Sequence, residues 1–158
     1  MDLVKACDRL DWCYLRLILI QTSLSYEVME WIMGCTITSS RFVVLINGSP
    51  SCFFSGNRGL QQGCPVSPYL FILAIVGLNL LIHNGIALND IVGVKVAGIV
   101  IISHLFYVDD VLVFGHGSVM EWQDYKDIIN MFCKESSLEI SSKKPCFIYA
   151  GVDDDTRK

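Results

Sequence analysis

Phe106-Tyr107-Val108-Asp109-Asp110-Val111-Leu112-Val113-Phe114 is the most informative stretch of this chain. Apolar residues, many of them β-branched or aromatic, favour extended backbone on both sides, and two adjacent aspartates between them favour a turn. The pattern predicts two strands, Ile99 to Tyr107 and Val111 to Phe114, joined at Asp109-Asp110. Two carboxylates are then carried to a hairpin tip, where each raises the cost of ionising the other and a divalent cation would relieve it. Hard oxygen donors suit Mg²⁺, which is commonly held by one or two carboxylates together with substrate phosphates. A second metal about 3.5 to 4 Å away needs a carboxylate from elsewhere in the chain. Asp2 is the candidate. Taken alone, an aspartate pair also reads as an ordinary solvated turn.

Working outward, Phe42 to Ile46, then Asn47-Gly48, then Ser51 to Phe54 predict a second hairpin, because Asn-Gly tolerates the positive φ of tight turns. Apolar spacing predicts a buried helix from Arg9 to Gln21, and another from Tyr26 to Cys35 with Ser23 or Ser25 as its cap, the two packing as a pair. Beyond a glycine-rich stretch, Gly56 to Gly63, lies Pro65-Val66-Ser67-Pro68. There Ser67 is expected to cap, and Pro68 to open, an apolar helix to about His83, buried on most sides. Val119 to Lys134 has helical spacing, and Cys146 to Ala150 is expected as a last strand before the polar tail Asp153 to Lys158. No repeat or linker divides the chain, so one domain over residues 1–158 is expected.

Composition narrows the function classes. The 158 residues carry 12 Lys and Arg against 16 Asp and Glu, a formal net charge of −4, and are 53% apolar. That excludes a disordered chain and allows a core without cross-links. Seven cysteines form no C-x-x-C pair, which argues against a zinc ribbon or a closed disulfide framework and points to a reducing compartment. Asp2, Lys5, Asp8 and Arg9 interrupt the N-terminal region, so no secretory signal is expected. Tyr69 to Ile82 is too short to span a bilayer, and Ile91 to Phe114 is broken by Lys95, His104, Asp109 and Asp110, so no membrane role is expected. The acidic balance predicts weak or no nucleic-acid binding by the isolated chain. His83, His104 and His116 show no ligand spacing and are expected on the surface or in loops.

Three segments together say more than any one of them. Asp2-Leu3-Val4-Lys5-Ala6-Cys7-Asp8, Arg58-Gly59-Leu60-Gln61-Gln62-Gly63-Cys64-Pro65-Val66-Ser67-Pro68 and Phe106-Tyr107-Val108-Asp109-Asp110 occur in this order. With Asp11-Trp12, Trp31-Ile32-Met33, Val44 to Gly48 and Leu138 to Val152, the chain resembles the reverse transcriptase domain of non-LTR retrotransposons, the long interspersed element type common in plant genomes. The resemblance covers nearly the whole chain. It implies an α+β fold, a polymerase palm-like antiparallel sheet of three or four strands backed by helices, with fingers and thumb largely missing.

The resemblance also assigns roles. Asp2 matches the first metal-binding aspartate and Asp109 and Asp110 the adjacent pair, Asp109 being the more direct ligand. In the family these hold two Mg²⁺ ions, with Mn²⁺ as an alternative, and the partners are an RNA template, a DNA primer and a dNTP. Leu3 and Val4 match positions whose backbone N–H groups meet the triphosphate. Gln62 and Gly63 match the template- and nucleotide-positioning turn, where glycine permits close backbone approach. Arg58 precedes that turn, facing template phosphate or simply solvated. Lys144 matches a lysine at the leaving pyrophosphate, or is an exposed surface lysine.

Two residues depart from the family pattern. Cys7 stands where a Phe or Tyr usually excludes a ribose 2′ hydroxyl, and Gln61 stands where an Arg is usual. With fingers and thumb largely missing, the chain is expected to be an RNA-directed DNA polymerase fragment inactive alone, with an unpartnered first strand and a tendency to self-associate. The alternative is a non-enzymatic interaction module derived from a retrotransposon remnant. A two-metal nuclease is disfavoured, since no His or Lys general base accompanies the aspartates. The expected location is intracellular, nuclear or cytoplasmic.

Overall fold

The computed structural model describes residues 1–34 and 41–141. The expected strand at Cys146 to Ala150 and Lys144 lie outside the described residues. The fold is α+β, with helices packed against small antiparallel sheets.

Its centre is a long helix, Ser67–Ala87, which becomes α4 once the shorter helices α1 (Ala6–Arg9), α2 (Trp12–Gln21) and α3 (Tyr26–Met33) are counted. Leu70, Phe71, Ala74, Ile75, Leu78 and Ile82 of α4 are buried. They meet α2 on one side and α5 (Val119–Ser136) on the other. With 21 residues and high hydropathy, α4 is long and apolar enough to cross a bilayer, yet 44% of its most apolar window is buried inside the fold. It serves here as the core helix. The expected end at His83 falls one turn short, because the helix closes through Leu88 N–H to Asn84 O at 3.0 Å. Ser67 does not cap it: the N-cap is Val66, and the buried Ser67 hydroxyl donates to Gln61 O at 2.8 Å.

The expected helix from Arg9 to Gln21 is broken at Leu10-Asp11, where the Asp11 carboxylate accepts the Tyr14 N–H and caps α2. Ser25 caps α3. The crossing of α2 over α4 depends on Gly77. A Cβ there would lie 1.9 Å from the Tyr14 hydroxyl, which donates to Ala74 O at 2.8 Å while its ring meets Phe132 edge-on. Gly77→Ala is therefore expected to destabilise by about 1 to 3 kcal/mol despite alanine's better helix propensity. Tyr14→Phe should remove most of that loss when the two are combined. Urea unfolding of the four proteins of this cycle measures the coupling.

The Asn47-Gly48 hairpin forms, but in two short pieces. β2 (Leu45–Ile46) pairs with β3 (Ser49–Pro50), and β1 (Arg41–Phe42) pairs with β4 (Phe54–Ser55) beyond a break at Val43-Val44. All of Arg41 to Pro50 is exposed. The expected strand from Ile99 to Tyr107 is likewise two strands. β6 (Val100–Ile102) pairs with β5 (Val94–Val96), and β7 (His104–Tyr107) pairs with β8 (Asp110–Val113). Between them Ser103 O accepts both the Phe114 N–H and the buried Tyr125 hydroxyl, so α5 fixes where the chain changes sheets.

The first strand is not partnerless. Asp2 bridges antiparallel to Asp110, and Leu3 to Ile140. The backbone of Met1 to Leu3 thus lies between β8 and Glu139 to Ser141, extending the hairpin into a small antiparallel sheet four segments wide.

Candidate active site

The tip of the β7–β8 hairpin is one residue out of the expected register. Tyr107 pairs with Asp110, and the two turn residues are Val108 and Asp109, not Asp109 and Asp110. Val108 has φ +56°, where a β-branched side chain is strained, and it is 71% exposed. Burial therefore gives nothing back for that strain. The register is fixed from the other side of the sheet, where the Leu3 N–H donates to Asp109 O at 3.0 Å and the Val111 N–H to Met1 O at 2.7 Å.

This pairing sets Asp2 directly opposite Asp110, where side chains share a face about 4.5 to 5.5 Å apart at Cβ. Like charges in that arrangement destabilise a sheet. Asp109 lies at the turn and lines a cleft of about 200 Å³ with Lys5, Cys7, Asp8, Gln62, Phe71 and Val108. The backbone therefore places Asp2, Asp109 and Asp110 at the same end of the sheet. The donor chemistry fits a hard cation, but among the described residues no three Asp, Glu, His or Cys side chains converge into a set that would hold a metal by themselves. A cation there would need oxygens from a further ligand, as Mg²⁺ usually does.

The nucleotide-side residues are placed as follows. Gln62 and Cys7 line the cleft. Gly63 sits at the exposed turn beside Gln62, with φ +84° and open space where a Cβ would go, while Gly59, with φ +86°, packs against the backbone of Asp8. Arg58 is exposed, its backbone bridged to Asp11. The N–H groups of Leu3 and Val4, expected at a triphosphate, are engaged in sheet pairing, donating to Asp109 O and to Glu139 O.

The electrostatics of the cleft are acidic. Burial, then the charges of Asp8 and Asp109, push the Cys7 thiol up, which disfavours the nucleophilic thiolate. His104 is not a surface or loop histidine. It lies half-buried on β7, its ring nitrogens meeting Ser103 Oγ and Asn79 Oδ1, and burial together with the neighbouring His83 pulls it down.

The sequence reading missed Glu121. It is buried at 4% exposure on α5 and accepts three backbone N–H groups, from Val92, Gly93 and His116. It also missed Asp8, whose carboxylate accepts from Gln62 across the cleft. The segment Asp2 to Asp8 contained the second signal, since a carboxylate one residue beyond Cys7 was in view.

Across residues 1–156 the chain matches the reverse transcriptase (RNA-dependent DNA polymerase) family. It belongs to that family. It is also 35% identical over 79 residues to an uncharacterized mitochondrial protein of Arabidopsis thaliana, a match covering 49% of this chain and 65% of that protein. The chain thus spans just under two thirds of that relative. Reverse transcriptases in general bind template, primer and dNTP and use divalent metal ions.

Proposed function

We propose that this chain is the palm segment, residues 1–158, of an RNA-directed DNA polymerase of a plant non-LTR retrotransposon, with its nucleotidyl-transfer site at Asp2, Asp109 and Asp110. The observation that carries the reading is the pairing of Asp2 opposite Asp110 beside a cleft that also holds Asp109, Cys7 and Gln62. A sheet that sets two carboxylates against each other and strains Val108 spends stability on a geometry that packing alone does not require.

In this reading the residues divide the work. Asp109 faces the nucleotide in the cleft, while Asp2 and Asp110 supply the flanking oxygens from the sheet. Gln62 and Gly63 position the nucleotide and template, Leu3 and Val4 hold the carboxylate strand in register, and Cys7 bounds the sugar side with less bulk than an aromatic ring. Arg58 faces template phosphate, and Lys144 serves the leaving pyrophosphate. When bound, two Mg²⁺ or Mn²⁺ ions supply activation of the primer 3′ hydroxyl and neutralisation of the triphosphate. The protein acts inside the cell, nuclear or cytoplasmic.

Alone, the 158-residue chain does not synthesise DNA, because a net charge of −4 gives little attraction to duplex phosphates. Primer extension on an RNA template with Mg²⁺ is expected to give no product from the bare chain. Grafted in place of the matching segment of a complete reverse transcriptase, the chain should support synthesis that Asp109→Asn abolishes. Calorimetry of the bare chain should show only weak, roughly millimolar Mg²⁺ binding. Tight binding that survives Asp2→Asn and Asp109→Asn together would place the metal elsewhere.

A second reading, a non-enzymatic interaction module, is favoured by the exposed apolar stripe Tyr69, Ile72, Val76 and Leu80 along α4. It predicts self-association that is indifferent to Asp109→Asn, read by sedimentation.

A further inference from the structure

Gln62 and Asp8 reach the cleft from different parts of the chain, the first from the loop before α4 and the second from α1. Gln62 Nε2 donates to Asp8 Oδ1 at 2.9 Å. An ionised carboxylate offers acceptors only, so the amide NH₂ must be the end that faces it. The contact therefore fixes the amide's orientation. Gln62 Oε1 and the second N–H are left for another partner.

Both side chains are exposed, and a lone pair of this kind would be weak. Here the backbones beneath them are already joined. Leu60 N–H donates to Cys7 O at 2.6 Å, Gly59 N–H to Leu10 O at 2.8 Å, and Trp12 Nε1–H to Gly59 O at 2.7 Å. Most of the ordering cost is thus met by backbone bonds before the side chains touch.

We infer that Asp8 is a positioning residue for Gln62, holding its amide in one orientation so that Oε1 and one N–H are presented to a nucleotide in the cleft. The nucleotide part of this inference rests on the polymerase reading above, whereas the orientation of the amide does not. Asp8 touches no reacting atom in this arrangement. It acts through Gln62.

Nuclear magnetic resonance of the ¹⁵N-labelled 158-residue chain tests both parts. The Gln62 side-chain NH₂ pair, identified by its loss in Gln62→Ala, is expected to show one shifted, slowly exchanging proton. Asp8→Ala should return it to the position of a solvated amide. Asp8→Asn has the same shape but carries both donors and an acceptor, so it admits both orientations and should give an intermediate shift.

Titration with Mg²⁺ and dTTP, followed on the cleft residues, then measures affinity. Asp8→Ala and Gln62→Ala should each weaken binding about three- to tenfold, the double variant should be no weaker than either, and the thermal midpoint should not move. A Gln62 NH₂ signal indifferent to Asp8→Ala overturns the inference, as do strictly additive losses of affinity. If the wild-type chain binds no dTTP while the Gln62 signal still follows Asp8, the nucleotide reading falls and the positioning pair stands.

Discussion

Glu121→Ala should destabilise the protein by about 3 to 5 kcal/mol, since it strands three backbone donors at once and each buried unsatisfied group costs about 1 to 3 kcal/mol. One carboxylate oxygen accepts from Val92 and Gly93 at 3.0 Å each, and the other from His116 at 2.8 Å. Those donors belong to the loops before β5 and after β8, so one side chain holds both ends of the sheet region against α5. Glu121→Gln retains a single carbonyl acceptor and should fall between alanine and wild type. Urea unfolding followed by circular dichroism reads the series. A loss under about 1 kcal/mol for alanine would mean that water reaches the site and takes over the three bonds.

Gly59→Ala is expected to cost about 2 to 4 kcal/mol through two separate effects. Its φ of +86° is one that alanine adopts with strain, and an added Cβ would lie 2.6 Å from the backbone oxygen of Asp8. The second contact cannot be relieved by a side-chain rotation, because its partner is main chain. Gly63→Ala provides the control, with φ +84° and nothing within 4 Å of the added atom. It should cost only the conformational part, about 1 to 2 kcal/mol. Equal losses at the two sites in thermal or urea unfolding would assign the whole effect to φ and remove the clash from the account.

The pair of glycines also shows where sequence reading stopped. Both lie in Arg58 to Gly63, where Gly63, beside Gln62, was singled out for approach by template or nucleotide and nothing pointed to the packing of Gly59 against the chain itself. Which of two nearby glycines faces another backbone is settled by how α1 docks, and nothing local in the loop encodes that. Elements whose cause is local were legible: the Asn47-Gly48 turn, the Ser25 cap of α3 and the apolar helix after Pro68. The β7–β8 hairpin was legible in kind but slipped by one residue. Two adjacent aspartates look like the turn, whereas the register is set by Met1 to Leu3, far away in sequence. Glu121 was illegible because a glutamate in the first turn of an amphipathic helix ordinarily faces water, and its partners are loop N–H groups that any sequence would supply. The pairing of Asp2 opposite Asp110 was not legible in spacing: Asp2 was a candidate partner for the aspartate pair, but spacing alone also allowed a solvated turn.

The strand formed by Asp2 and Leu3 has a kinetic meaning as well. Its partners, Asp110 and Ile140, are both more than a hundred residues away along the chain, so its two pairings close long loops. Such contacts form only after the loop-closure entropy has been met by packing elsewhere, and they slow folding. The helices and the local hairpins can assemble without it, but the carboxylates cannot meet until it docks. The amide protons of Leu3 and Val4, which donate to Asp109 O and Glu139 O, are therefore the natural clock for the last step of folding. A chain caught before that step would hold most of its helices without the pairing of Asp2 to Asp110.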